Sequence, residues 1–241
     1  MTKRLSVAIL IAFASICAAM GQESPSPIPT ASLAPSLTPA ESLSPSPSAS
    51  SARSVQLSFV PPPLEGTISL GIYDESGKLV RVLHQEAELN EFTIGADALV
   101  TQWDGKNDDG EDLPAGKYRA RGYLVGHFKV EDLDQGTTLS VENNATTNVK
   151  VKLMPNPLAN DKRLIVDLGV GFDSDGSYLK TSDDLPLFTV SETPNLVRVL
   201  IAKKSEKSVN VLQDDGTLVR QFRVSNVDKM MAFDCGEFEL K

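Results

Sequence analysis

The sequence predicts an all-β protein: an antiparallel β-sandwich followed by a second, smaller antiparallel β region. Three observations carry that expectation. Apolar residues alternate with polar ones in short runs, as in Val55, Leu57 and Phe59, the period of a half-buried strand. Clusters of Gly, Asp, Asn and Pro separate these runs at sandwich spacing. After the first 21 residues there is no amphipathic helical pattern of about a dozen residues.

The folded part is shorter than the 241-residue chain. Thr2-Lys3-Arg4 and the apolar run from Leu5 to Ile16 read as a secretion signal over residues 1–21, because about a dozen apolar residues are too few to span a bilayer. Residues 22–54 read as a disordered linker. Between Glu23 and Arg53, 22 of 31 residues are Ser, Pro or Ala and none is aromatic, so little apolar burial offsets the entropy of ordering them. The expected division is therefore signal peptide 1–21, linker 22–54, sandwich 55–127 and a second all-β region 128–241. The mature chain is expected to be exported, to the periplasm, cell surface or extracellular space, with no transmembrane helix.

Charge and rare residues exclude several classes. The formal charge is −9, and without Lys3 and Arg4 the balance is 21 basic against 32 acidic residues. Such a surface repels the phosphates of nucleic acids. Cys17 lies in the signal, which leaves Cys235 without an internal disulfide partner. His84 and His127 are the only histidines, and no Gly-x-Ser-x-Gly elbow occurs. The carboxylates cluster in turns, where water keeps them ionised. The expectation is a non-enzymatic protein with no catalytic residue, no cofactor and no nucleic-acid partner.

The strands follow in order. Val55–Phe59 ends at Pro61-Pro62-Pro63, which cannot donate to a ladder. Ile68, Leu70 and Ile72 alternate up to the turn Asp74-Glu75-Ser76-Gly77, and Leu79–Leu83 returns as a hairpin. Further strands are expected at Asn90–Ile94, Leu99–Trp103 and Lys117–Val125. In the second region Thr138–Val141 would pair with Asn148–Leu153 before Pro155-Asn156-Pro157 breaks the chain. Strands then follow at Arg163–Phe172, Leu187–Ser191, Leu196–Ala202, Ser208–Gln213, Leu218–Val224 and Lys229–Phe233. Gly77-Lys78-Leu79-Val80-Arg81 is echoed by Gly216-Thr217-Leu218-Val219-Arg220, which a shared hairpin turn explains.

Two strings carry a more specific pattern: IYDESGKLVRVL at 72–83 and WDGKNDDGEDLPAGKYRAR at 103–121. The matching residues are Ile72, Tyr73, Asp74, Gly77, Leu79, Val80 and Arg81, then Trp103, Asp104, Gly105, Gly110, Leu113, Pro114, Gly116 and Tyr118. Together they resemble the FlgD-type immunoglobulin-like domain, a family named for the flagellar hook-capping protein and recurrent in secreted bacterial proteins. The resemblance covers residues 55–127. It implies an immunoglobulin-like sandwich serving as a structural, assembly or adhesion module at the bacterial cell envelope, with a protein partner or cell-surface component. The physics of the pattern is structural, because its glycines suit tight turns and a lone Trp at a strand end suits a sandwich core.

Other chemistry is weighed against that reading. A calcium site would draw on Asp104, Asp108, Asp109, Asp173 and Asp175, but EF-hand spacing fails. With Gly110 at the glycine position Gly105 falls on the first ligand, and for Gly176 that place falls on Gly171. No metal is therefore expected. Asn144-Ala145-Thr146 fits an N-glycosylation sequon. A carbohydrate-binding accessory module is the alternative function, and its stacking platform would use Trp103, Tyr118 or Tyr123. A further alternative is an N-terminal fragment of a larger secreted β-propeller protein or enzyme. Residues 197–224 look like propeller blades, and the second region is too short to complete the ring.

Overall fold

The computed structural model describes residues 53–133, 145–160 and 162–241. The signal, nearly all of the linker, the expected strand Thr138–Val141 and Asn144 lie outside the described residues. The first strands are β1 (Val55–Phe59), β2 (Gly66–Asp74), β3 (Leu79–Ala87), β4 (Thr93–Ile94), β5 (Leu99–Trp103), β6 (Gly116–Gly126) and β7 (Lys129–Asp132). They are followed by β8 (Asn148–Lys152), β9 (Ile165–Phe172), β10 (Ser177–Thr181), β11 (Pro186–Ser191), β12 (Arg198–Ser205), β13 (Ser208–Asp214), β14 (Val219–Ser225) and β15 (Met230–Leu240). The protein is all-β, and among the described residues no helix is long and apolar enough to cross a membrane.

The strands sort into four antiparallel sheets, β1-β5-β4, β15-β6-β2-β3, β12-β13-β14-β7 and β11-β10-β9-β8. The first two form an immunoglobulin-like sandwich around Leu57, Phe59, Ile68, Leu70, Ile72, Trp103, Leu124 and Phe233. In immunoglobulin lettering the strands β1 to β6 are B, C, C′, D, E and F, and β15 is G, so the sheets read B-E-D and G-F-C-C′. Strand A has no counterpart among the described residues. Tyr118, near the start of β6, donates its hydroxyl to the Pro114 carbonyl (2.8 Å), the corner that recurs at this place in such sandwiches. The other two sheets share a second core that includes Val149, Val151, Leu168, Leu179, Leu187, Val209, Val211 and Val224.

The chain does not divide at 127/128. β15 returns to the first sandwich and pairs with β6 from Met230↔Val125 to Leu240↔Gly116, so the second region is inserted between F and G. The physical reason is packing: Phe233 stacks on Phe59 at 4.5 Å, and Leu240 is buried beside Gly105. A sequence reading that stops this strand at Phe233 misses seven residues of it. Gly236 and the acids Asp234, Glu237 and Glu239 disrupt the alternation, and a register shift between Asp234 and Gly236 absorbs the irregularity.

The insertion also explains β2, where Ile68 to Tyr73 are all buried. Ile68, Leu70 and Ile72 enter the sandwich core, while Gly71 and Tyr73 face the inserted region. A Cβ at Gly71 would stand 2.5 Å from Leu79 Cδ1 and 3.1 Å from Leu185 Cδ1. The sheet β15-β6-β2-β3 is therefore covered on both faces, and Val125 on β6 belongs to the second core.

Smaller differences have local causes. Asn90–Ile94 splits into a 3-10 turn, Leu89–Glu91, and the two-residue β4. β7 forms where no particular strand was expected and β10 where an acidic turn was, and β8 pairs with β9 downstream. The repeated Gly-x-Leu-Val-Arg string is a repeated hairpin turn: Gly77 and Gly216 take φ of 82° and 88° between β2 and β3 and between β13 and β14.

Candidate functional site

Most residues singled out in the sequence hold the sandwich together. Trp103, at the end of β5, is fully buried and donates Nε1–H to the Lys106 carbonyl (2.9 Å). Its ring meets Tyr118 and Phe238 edge-on, with centroids 5.2 and 5.8 Å away. Tyr118 is buried beside it, and burial pushes the Tyr123 hydroxyl up to about 12. Trp103 and Tyr118 are core residues with no exposed stacking face, whereas Tyr123 is half-buried and lines a shallow depression.

The acidic turn 104–112 folds on itself. Asn107 N–H donates to the Glu111 carbonyl (3.0 Å) and Leu113 N–H to the Gly105 carbonyl (2.9 Å). Arg81 Nη1 donates to the Asn107 carbonyl (2.7 Å), and Asp108 Oδ1 accepts the N–H of Val82 (3.0 Å). Arg81 thus clamps the turn onto β3, and Asp108 occupies an edge amide there. Asp104 accepts Lys106 N–H (3.1 Å), whereas Asp109 is exposed. Far along the chain, Asp173 accepts the N–H groups of Asp175 and Gly176 in the β9–β10 turn. The five calcium candidates are therefore dispersed. Among the described residues no group of three or more His, Cys, Asp or Glu could hold a metal ion. Asp74 makes a similar local turn, accepting from Ser76 N–H, Ser76 Oγ–H and Lys78 N–H, with the Ser76 bond chiefly holding its carboxyl below the usual range.

The seam between the sandwich and the inserted region is built on Tyr73 and Arg121. The Arg121 guanidinium lies 3.9 Å over the Tyr73 ring and donates to Asp183 (2.5 Å), which also accepts from Thr181. Among the described residues the Tyr73 hydroxyl is buried without a hydrogen bond of good geometry, and burial raises its pKa against the opposing pull of the nearby Arg121 guanidinium. Two shallow depressions adjoin this seam. One of 190 Å³ lies beside Tyr73, Lys117 and Arg119, and one of 260 Å³ beside Tyr123, Leu164 and Phe233. Their basic side chains are already paired: Lys117 with Glu237, Arg119 with Asp234 and Arg121 with Asp183.

His84 and Cys235 are likewise packed. His84 Nε2 lies 2.7 Å from Thr101 Oγ1, its ring 4.5 Å from Phe92, and burial holds its pKa below the ordinary value. Burial pushes the Cys235 thiol up to about 12, far from the thiolate form that reacts.

The surface that stands apart is the outer face of β1-β5-β4. Gln56 and Ser58 on β1, Val100 and Gln102 on β5 and Thr93 on β4 share it, in direct register as Gln56↔Gln102 and Ser58↔Val100↔Thr93. None is charged, although 23% of the chain is. Val60 (54% exposed) follows directly at the end of β1. By contrast Lys150, Lys152 and Lys180 stand on the β11-β10-β9-β8 sheet, and Lys129, Glu131 and Arg223 on the β12-β13-β14-β7 sheet. Sequence reasoning missed this face, yet a signal was there: no charged residue occurs from Ser54 to Leu64.

No protein-family model matches the chain, and neither a curated protein nor a solved structure matches it. Its resemblance to the FlgD-type domain therefore stands on residues 72–83 and 103–121 alone.

Proposed function

We propose that this protein is an exported, non-catalytic interaction module of the cell envelope, whose contact surface is the outer face of the β1-β5-β4 sheet. The observation that carries the reading is the absence of charge from that face, beside exposed Val60. Depletion of charge is what distinguishes the centre of a protein interface from ordinary surface. The resemblance to the FlgD-type domain points the same way, toward assembly or adhesion. The Ser/Pro-rich linker would then set the module away from its point of attachment.

The test is a substitution of Gln102, which is exposed and whose change leaves the core untouched. Gln102→Arg in the full chain is expected to reduce its retention in the envelope fraction, while Lys150→Glu in the inserted region leaves retention unchanged. Equal retention of both variants and the wild type would sink the reading.

A further inference from the structure

We propose that the free edge of β1 accepts an extended strand of a partner protein, added to the β1-β5-β4 sheet through main-chain hydrogen bonds. The inference rests on the contact-face reading and adds its mode of recognition. An unpaired edge templates pairing with another chain, and natural proteins blunt such edges with charges, prolines, bulges or very short strands.

Seven of the eight sheet edges carry such a device. β4 has only two residues. β3 is irregular in register, and Asp108 takes up its Val82 N–H. β15 has a bulge at Asp234 and exposes Glu237 and Glu239. β12 is bridged by Thr146, whose N–H donates to the Ile201 carbonyl (2.9 Å). β7 carries Lys129 and Glu131 within four residues, and β8 exposes Lys150 and Lys152. β11 begins at Pro186 and gives its Thr189 N–H to Glu86 (2.7 Å).

β1 has none of these. Its five uncharged residues pair with β5 in unbroken register, and among the described residues its outer side has no backbone partner. It is also the place where an immunoglobulin sandwich lays strand A against strand B. The bare edge specifies its occupant, because only a polypeptide offers N–H and C=O groups at the matching repeat. The chain's own linker has seven prolines between Pro25 and Pro47, each without a donor, so it would pair here only with those nitrogens turned outward.

Amide hydrogen exchange of the full chain decides the matter, run alone and with the strand probe acetyl-Thr-Val-Thr-Val-Thr-amide or its fully N-methylated form. In the chain alone, alternate amides of Val55–Phe59 exchange about tenfold faster than their neighbours. The probe slows those amides about tenfold, leaves β15 unchanged, and loses its effect on N-methylation. Uniform protection of β1 in the free chain would mean that the chain's own residues cover the edge, and would overturn the proposal. Equal protection by both probes, or protection by neither, overturns it too. If any of these occurs while Gln102→Arg still reduces retention, the contact face stands and only strand addition falls. Retention that ignores Gln102→Arg removes the contact face whatever the exchange shows.

Discussion

Replacing Phe233 by Ala tests the insertion directly. Phe233 lies on β15 at the far end of the chain, yet it is 8% exposed within the first sandwich and stacks on Phe59 at 4.5 Å with the rings 14° from parallel. Truncating a buried Phe to Ala costs about 3–5 kcal/mol. For a cooperative unit of this size each kcal/mol lowers Tm by about 2–4 °C, so a fall of about 6–20 °C is expected. Trp103 is the chain's only tryptophan and is buried in the same core, so its fluorescence on heating reports that sandwich alone. Two consecutive domains dividing at 127/128 would leave the Trp103 transition where it is. An unshifted Trp103 melt in Phe233→Ala would refute the closure of the first sandwich by β15.

Other substitutions separate bonded groups from idle ones. Tyr118→Phe removes the hydroxyl bond to Pro114 and is expected to cost about 1 kcal/mol in urea unfolding, whereas Tyr73→Phe removes a buried hydroxyl without a hydrogen bond of good geometry and is expected to be neutral or stabilising. Gly71→Val drives a side chain into Leu79 and Leu185, and a loss of about 1–3 kcal/mol by the same method is expected. Burial of His84 disfavours its charged form, so its folded pKa lies below the unfolded value of 6.5, with Glu91 opposing more weakly. Its contribution is complete above pH 6.5 and is lost as the pH falls through the folded value. Urea titrations should show the acid slope flatten in His84→Gln. Cys235 should alkylate with iodoacetamide at pH 8 far more slowly in the native chain than in urea, read by mass shift.

Much of the fold was legible because alternation survives wherever one face of a strand is buried. Val55, Leu57 and Phe59 mark β1 at its observed limits, and Leu99–Trp103 marks β5. The reading failed where tertiary contacts set the pattern. Nothing local in Met230–Leu240 says that it pairs with β6 more than a hundred positions earlier, and its bulge hides the alternation. β10 was passed over because Asp173, Asp175, Asp183 and Asp184 frame it as one acidic turn, although Leu179 is fully buried. The motif residues were found but their partners were not: Arg81 with Asn107 and Arg121 with Asp183 are pairings that no spacing rule reveals. The uncharged face eluded the reading for a related reason. Gln56 and Gln102 are unremarkable apart, and become one surface only through the register of β1 on β5.

The most direct measurement of the central claim is site-specific photo-cross-linking in the native cells, with benzoylphenylalanine placed singly at Ser58, Gln102 and Lys150. The account predicts the same discrete adduct from Ser58 and Gln102, on the uncharged face, and none from Lys150 on the β11-β10-β9-β8 sheet. Adducts from Lys150 alone, or from none of the three positions, would contradict it.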